Sequence, residues 1–278
     1  MEVIIRPTAR QAAQLVAQLI ARALRAKPSL VLGLATGRTM EPVYAELVRL
    51  HRTAGLDFSR ARTFNLDEYV GLGPDDPASY HAYMHRHLFQ HVNLRPGNVH
   101  LLDGTAPDLV AECARYEQAM RACGGIDLQL LGIGRDGHIG FNEPLSALLS
   151  RTREKALTPE TLAQNAPLFG GRVERVPRRA LTMGVGTILE SRRCLVLVTG
   201  AAKAAILARA VEGPITAMVT ASALQLHPRC TVIVDEAAAA RLRGVEYYRW
   251  IFENEPEWAE FRSPTTAAVR QSRKRSAT

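Results

Sequence analysis

Short apolar runs recur along this chain, and each is followed by glycine or by polar residues. They occupy residues 29–35, 61–66, 126–132, 193–199 and 230–235. Most of these runs lack a strict alternation of polar and apolar positions. They therefore predict strands that are buried on both faces of a sheet.

Between the runs, apolar positions recur at helical spacing. We expect helices at residues 9–25, 41–53, 80–91, 108–123, 181–191 and 201–211, and a short strand followed by a helix at 214–225. Strands that alternate with helices are typical of α/β proteins. The pattern predicts an open, mostly parallel sheet with helices on both faces, of the doubly wound, Rossmann-like type.

The same pattern suggests one catalytic domain over residues 1–262. Residues 148–177 have weak periodicity and several prolines and glycines, which favours an irregular lid or binding loop. Residues 263–278 form a basic segment without acidic residues, and we expect this tail to be disordered.

Charge and cysteine content narrow the classes of function. The formal net charge is +8, and four of those charges lie in residues 263–278, which leaves +4 for the rest. A modest positive charge suits anionic metabolites and gives no reason to expect nucleic-acid binding. The four cysteines show no CxxC pair, and the chain has no signal segment and no apolar run of membrane-spanning length. We therefore expect a cytoplasmic protein that does not bind membranes.

In parallel sheets, ligands bind beyond the carboxyl ends of the strands. Residues 36–39 (Thr36, Gly37, Arg38, Thr39) follow one apolar run, and their amides and hydroxyls suit a phosphate group. An ordinary turn explains them equally well. A second Thr-Gly turn, 199–200, is followed by Lys203 in a first helical turn. A lysine there usually points to solvent, but it opposes the helix dipole, which gives a small reason to expect an anion nearby.

Two carboxylates, Asp67 and Glu68, directly follow another run. One of them could enter a cleft as a general base while the other caps the next element. By itself, capping is the better explanation of the pair.

The strongest signal is GIGRDGHIGFNEP at residues 132–144. It places Asp136, His138 and Glu143 within eight residues, among glycines, after a buried strand. Carboxylates beside an imidazole fix its tautomer and raise its basicity. The segment therefore indicates an enzyme that transfers protons on a small molecule.

Together, these motifs resemble the glucosamine-6-phosphate deaminases over almost the whole body of the chain. The segments that carry the resemblance are TGRT, FNLDEYVGL, GIGRDGHIGFNEP, SRTR, LTMGVGTIL, Lys203 and LQLHP. The resemblance implies that glucosamine 6-phosphate and water become fructose 6-phosphate and ammonia. It implies neither a metal nor an organic cofactor.

The resemblance also implies residue roles. Asp67 matches the base that moves a proton between C2 and C1, and His138 matches the residue that opens the pyranose ring, oriented by Asp136 and Glu143. The turn 36–39 and Lys203 match the parts that bind substrate and phosphate.

A homo-oligomer, often a hexamer, is implied as well. Its allosteric site binds N-acetylglucosamine 6-phosphate between subunits. Residues that match parts of that site are Ser146, Arg151, Arg153 and Lys155.

Three positions depart from the family pattern. Arg38 stands where many members carry glycine, Pro167 where members carry a phosphate-contacting arginine, and Ala156 where the effector segment ends in a small polar residue. We hypothesise that Arg38 or Arg172 supplies the missing phosphate charge. Two alternatives stay open: an enzyme of another sugar phosphate, such as a different amino-sugar-phosphate deaminase or isomerase or a 6-phosphogluconolactonase-like enzyme, and a non-catalytic sugar-phosphate sensor.

Overall fold

The computed structural model describes residues 1–262, which form two sheets. The strands, in chain order, are β1 (Glu2–Arg6), β2 (Val31–Leu34), β3 (Arg62–Asn65), β4 (Asp67–Tyr69), β5 (Val99–His100), β6 (Leu128–Leu131), β7 (Arg153–Ala156), β8 (Arg179–Thr182), β9 (Cys194–Val198) and β10 (Cys230–Asp235).

The larger sheet has the order β1-β10-β9-β6-β2-β3-β5, and all its strands are parallel. The chain proceeds outward from β2 through β3 to β5 and then returns to β6, from which it proceeds the other way through β9 to β10. The strand order therefore reverses between β2 and β6. A crevice for ligand is expected at this switch point, beyond the carboxyl ends of both strands.

Nine α-helices complete this part of the chain. They are α1 (Ala9–Ala26), α2 (Glu41–Ala54), α3 (Tyr80–His87), α4 (Leu109–Ala122), α5 (Pro159–Asn165), α6 (Val185–Leu189), α7 (Ala204–Glu212), α8 (Glu236–Ala239) and α9 (Val245–Asn254). Short 3₁₀ segments lie at Phe89–His91, Pro96–Asn98, Ala166–Phe169, Val173–Arg175, Ala201–Lys203, Thr220–Leu226 and Pro256–Phe261.

Local sequence explains where several helices begin. Thr8 precedes α1, and its hydroxyl accepts a hydrogen bond from the amide of Gln11 at 3.2 Å. Ser79 does the same for α3 through the amide of Ala82, at 3.1 Å. Such caps satisfy amides that have no partner within the helix. The buried side of α1 packs against β10, as its apolar spacing predicts.

The α/β prediction with a mostly parallel sheet is confirmed, but a second sheet was missed. Strands β4, β8 and β7 form a three-stranded antiparallel sheet in that order. Two predictions were wrong for this reason. Residues 148–177 are not irregular throughout, since they contain β7 and α5, and the helix expected at 181–191 is β8 followed by the short α6.

Other boundaries also differ from the sequence prediction. The helix expected at 80–91 ends at His87 and continues as a 3₁₀ turn, and the segment 214–225 holds a 3₁₀ helix and an isolated bridge between Thr216 and Val219. The first strand, β1, and the last helix, α9, were not predicted. Both ends of the described chain pack together, because α9 lies against β1.

The four cysteines are free, and three of them are buried. Within residues 1–262 no helix is both long and apolar enough to cross a membrane. The predicted disordered tail, residues 263–278, lies outside the described residues.

Candidate active site

A cavity of about 510 Å³ opens at the switch point between β2 and β6. Its walls come from the loops that follow β2, β3, β6 and β9, from α3, and from the segment around Pro167. The sequence-predicted residues that line it are Thr36, Gly37, Arg38, Thr39, Asp67, His138 and Lys203. The fold thus brings separate predicted motifs to one cleft.

His138 lies between two carboxylates in this cleft. Its Nδ1 atom is 2.7 Å from Oδ1 of Asp136 and 3.4 Å from Oε2 of Glu143. Burial lowers the pKa of His138, but the two carboxylates raise it more, to about 9. Burial raises the pKa of Asp136, and the imidazole outweighs it and lowers that pKa. His138 is therefore cationic at neutral pH and held in one orientation.

The opposite edge of the imidazole lies over a glycine. A Cβ atom at Gly134 would be 2.4 Å from Nε2 of His138, a distance that side chains do not tolerate. Position 134 must therefore lack a side chain for the ring to take this place. The same contact explains why the third residue of the loop after β6 is a glycine.

Glu143 also ties the imidazole to the segment after β7. Its Oε1 accepts a hydrogen bond from the amide of Thr158 at 3.2 Å, and its Oε2 accepts one from the Thr158 hydroxyl at 3.3 Å. Thr158 caps α5, which leads to Asn165 and Pro167 in the cleft wall. The carboxylate therefore couples the position of His138 to that of this wall.

Asp67 is a buried carboxylate at the start of β4 and lines the cleft. Burial and the neighbouring charge of Glu68 raise its pKa to about 8, and the charge of His138 opposes that shift. A carboxylate with a raised pKa is a stronger base than an ordinary one. Asp67 and His138 thus line one cleft and interact electrostatically, an arrangement that can supply a base and a separate acid.

The structure separates the roles of the two adjacent carboxylates. Glu68 is fully buried and does not line the cleft. It accepts hydrogen bonds from the amides of Tyr69, Tyr80 and His81 at 2.8–3.1 Å, and its Oε2 is 3.0 Å from Nδ1 of His81. Glu68 therefore fixes the first turn of α3, which is the capping role expected for one member of the pair.

Two tyrosines fix the backbone at and before the turn 36–39 by hydrogen bonds to its carbonyl oxygens. The hydroxyl of Tyr83 donates to the carbonyl oxygen of Gly37 at 2.9 Å, and the hydroxyl of Tyr44 donates to that of Ala35. Gly37 has a φ of 107°, which favours glycine. The sequence analysis missed both tyrosines, because no local pattern pairs a phenol with a carbonyl oxygen 9 or 46 residues away.

Lys203 reaches the cleft from the turn after β9. Its Nζ atom donates a hydrogen bond to the carbonyl oxygen of Ile133 at 2.7 Å. Burial and the positive charge of Arg135 lower the pKa of Lys203 to about 8. Arg135 also lines the cleft and was not singled out from the sequence. Arg172, one of the two candidates for the phosphate charge, is exposed and is not among the lining residues, whereas Arg38 is.

The four residues that match an effector site do not share one surface. Ser146 is buried, and Lys155 is half-buried on β7. Arg151 forms ion pairs with Glu117 and Glu190 of the same chain. A second cavity, of about 350 Å³, is lined by Arg151 and by Arg153 but not by the other two.

Arg153 is hydrogen-bonded to the loop that follows β6. Its Nη1 atom donates to Oδ1 of Asn142 at 2.9 Å. Asn142 is itself buried and donates to the carbonyl oxygens of Ile139 and Met183, both at 2.8 Å. The guanidinium therefore supports the backbone between His138 and Glu143.

Asp136, His138 and Glu143 also offer atoms that could hold a metal ion. One ligand atom each from Asp136, His138 and Glu143 lies within 4.8 Å of the others. The same atoms form the ion pair around the imidazole. A metal would therefore displace the arrangement that raises the pKa of His138.

Comparisons with known proteins agree with this geometry. A family model described as glucosamine-6-phosphate isomerases/6-phosphogluconolactonase matches residues 6–232. The glucosamine-6-phosphate deaminase of Arthrobacter sp. (strain FB24) is 52% identical over 258 residues, which cover 93% of this chain and 99% of that protein. Glucosamine-6-phosphate deaminase 2 of Giardia intestinalis is 53% identical over 231 residues, covering 83% of this chain and 88% of that protein.

Two solved structures are also similar to this chain. A monomeric glucosamine-6-phosphate deaminase is similar with a TM-score of 0.85 and 46% identity, over 87% of this chain and all of that one. The 6-phosphogluconolactonase of Trypanosoma cruzi gives a TM-score of 0.71 at 18% identity, over 87% of this chain and 97% of that one. The second comparison shows a shared fold only.

Proposed function

The chain belongs to the glucosamine-6-phosphate isomerase/6-phosphogluconolactonase family, and we infer from its cleft and its deaminase relatives that it is a glucosamine-6-phosphate deaminase. It converts glucosamine 6-phosphate and water to fructose 6-phosphate and ammonia. The observation that carries this inference is one cleft that holds the buried Asp67 carboxylate and the paired His138 imidazole. Deamination with aldose–ketose isomerisation needs both a base and a separate acid.

The cationic His138 supplies the acid for ring opening. It donates a proton to the ring oxygen as the C1–O5 bond breaks, the C1 hydroxyl gives up its proton to water, and the aldehyde form of the sugar results. The carboxylates of Asp136 and Glu143, 2.7 and 3.4 Å from Nδ1, keep the opposite nitrogen free to face the substrate. A positioned acid or base of this kind contributes about 10²–10⁴-fold to a rate.

Asp67 moves the proton between the two carbons. Its carboxylate removes the proton from C2, next to the aldehyde, and returns it to C1, while O1 gains a proton and the nitrogen loses one through solvent. C2 then carries the nitrogen as an imine, which water hydrolyses to the ketone and ammonia. The raised pKa of Asp67 suits this step, because a more basic carboxylate removes a carbon-bound proton more readily.

The turn 36–39 and Lys203 bind the substrate at the other end of the cleft. The turn offers hydroxyls at Thr36 and Thr39 and a backbone that Tyr83 holds in place. Lys203 adds a positive charge. Amides, hydroxyls and a cation together suit a phosphate group.

Self-assembly and an effector response remain proposals. The resemblance implies a homo-oligomer with a site for N-acetylglucosamine 6-phosphate. Arg153 supports the effector site, because it lines the second cavity and bonds Asn142 in the loop between His138 and Glu143. The 46% identical solved relative is described as monomeric. Sedimentation gives the mass of the assembly, and a hyperbolic velocity curve that the effector leaves unchanged would refute the allosteric proposal.

The remaining proposals concern location and cofactors. We place the enzyme in the cytoplasm, because its substrate is a phosphorylated sugar and its four cysteines are free. The proposed reaction transfers protons and exchanges nitrogen for oxygen, so it requires no redox cofactor. Dialysis against a chelator is expected to leave ammonia release unchanged.

An ammonia-coupled assay tests the function. The purified protein is offered glucosamine 6-phosphate, galactosamine 6-phosphate and N-acetylglucosamine 6-phosphate, with Asp67→Asn as the inactive control. We expect ammonia and fructose 6-phosphate from the first compound only. Release of neither product from any of the three would favour a non-catalytic sensor instead.

A further inference from the structure

Four cationic side chains line the catalytic cleft without an ion-pair partner in the described part of the chain. They are Arg38, Arg86, Arg135 and Lys203. The acidic groups in the same lining are Glu41 and Asp67. The cleft thus holds more positive than negative charge, and the question is which cations receive the phosphate.

Arg135 occupies the central position among them. It follows β6, which lies between β9 and β2 in the sheet. The loop after β9 carries Lys203, and the turn after β2 carries Arg38. Arg135 therefore stands at the switch point, where ligand is expected in a doubly wound sheet.

Lys203 is tied to the loop that carries Arg135. Its Nζ atom donates to the carbonyl oxygen of Ile133, two residues before Arg135, at 2.7 Å. The two positive charges interact, and together with burial this repulsion lowers the pKa of Lys203. Two like charges held near each other repel. A bound dianion would relieve that repulsion.

The neighbouring acid does not neutralise Arg135. The carboxylate of Asp136 is occupied by His138, with Oδ1 at 2.7 Å from Nδ1. Arg135 has no hydrogen bond from its guanidinium to any described residue. A free guanidinium offers a planar fork of donors that matches phosphate oxygens in a way that an ammonium does not.

We propose that Arg135 and Lys203 form the phosphate-binding pair of the cleft, and that Arg135 selects phosphorylated over unphosphorylated amino sugars. The proposal rests on the proposed function and adds Arg135, a phosphate-binding residue that the sequence analysis did not find. It replaces both sequence candidates, since Arg172 does not line the cleft and Arg38 follows β2, which β6 separates from β9, whereas the charge of Arg135 acts on Lys203.

The test compares four variants with the wild type: Arg135→Gln, Arg135→Lys, Arg38→Gln and Arg172→Gln. The KM and kcat for glucosamine 6-phosphate are measured, together with competitive inhibition by inorganic phosphate. We expect Arg135→Gln to raise the KM and the phosphate inhibition constant at least about tenfold, with a smaller change in kcat. Arg135→Lys should fall between wild type and Arg135→Gln, and Arg172→Gln should match the wild type.

A thermal unfolding series separates binding from folding and from turnover. Inorganic phosphate should raise the melting temperature of the wild type, and Arg135→Gln should lose most of that rise. If the wild type releases no ammonia yet shows this difference, the proposed function fails and the phosphate pair stands. The pair is overturned if phosphate protects wild type and Arg135→Gln equally, if phosphate neither protects nor inhibits the wild type, or if Arg38→Gln alone raises the KM.

Discussion

The hydroxyl of Tyr83 donates a 2.9 Å hydrogen bond to the carbonyl oxygen of Gly37, so α3 holds the turn that ends β2. The same tyrosine packs edge-on against Tyr44, whose hydroxyl donates to Ala35. The carbonyl oxygen of Gly37 is therefore already occupied, by Tyr83 of α3 and by the amide of Met40 at 2.8 Å. The amides of the turn are left available to the substrate.

Removal of this hydroxyl should weaken substrate binding more than turnover. Tyr83→Phe is expected to raise the KM for glucosamine 6-phosphate several-fold, because the turn loses one hydrogen bond worth about 1 kcal/mol. The kcat should change less, since Asp67 and His138 are untouched. Steady-state kinetics checks this, with Tyr248→Phe as the control, because that phenol bonds Glu212 outside the cleft. Equal effects of the two variants would contradict the role of Tyr83.

Asp67→Asn should abolish proton transfer at carbon. We expect kcat to fall by about 10²–10⁴-fold with little change in KM, because the amide cannot act as a base. Exchange of the C2 proton with deuterated solvent, followed by NMR, should disappear in parallel. The exposed Asp75→Asn provides the matched control and should retain both activities. Retained exchange in Asp67→Asn would assign the base to another group.

The pH dependence of kcat/KM should be bell-shaped and narrow. Asp67 must be deprotonated, so activity falls as pH drops below its pKa of about 8, whereas His138 must be protonated, so activity falls as pH rises above its pKa of about 9. The two groups interact, so the two apparent values belong to the pair.

Asp136→Asn tests the assignment of the alkaline limb. The variant removes a carboxylate that raises the pKa of His138, so that limb should move to lower pH. The measurement is the profile of kcat/KM from about pH 6 to about pH 10 for the wild type and for Asp136→Asn. An alkaline limb that stays in place would show that His138 is not the acid.

Gly134→Ala should displace the imidazole. The added Cβ would lie 2.4 Å from Nε2 of His138, so the ring or the loop must shift. A shift of about 1 Å in a catalytic group can cost about 10²-fold in rate, and we expect a loss of kcat of that order. Gly73→Ala is the control, because nothing lies within 4 Å of its added Cβ. Unchanged kcat in Gly134→Ala would mean that the imidazole position is not critical.

The elements that were correctly predicted are those that local sequence specifies. The runs at 29–35, 126–132 and 193–199 became β2, β6 and β9 because a strand buried on both faces requires continuous apolar residues. The antiparallel sheet of β4, β8 and β7 was missed for the opposite reason. Its strands are short, and Asp67 pairs with Thr182, more than a hundred residues away. No local pattern specifies such a partner.

The residues of the candidate site also differ in whether local sequence identifies them. Asp136, His138 and Glu143 were identified from one segment of eight residues, and the structure places them within ion-pair distance. Glu68 could be separated from Asp67 only when its bonds to α3 were known. Because the two carboxylates are adjacent in the chain, the sequence alone offered no reason to assign the cleft to one and the cap to the other.

By itself, the sequence determined the fold class, the parallel core and the grouping of Asp136, His138 and Glu143, because each depends on residues that are neighbours in the chain. The tertiary structure decided how Asp67 meets His138, how Tyr83 holds Gly37, and which cations share the cleft. These relationships join loops after different strands, and their geometry follows from the strand order around the switch point between β2 and β6. Long-range packing sets that order, and a pattern read along the chain does not contain it.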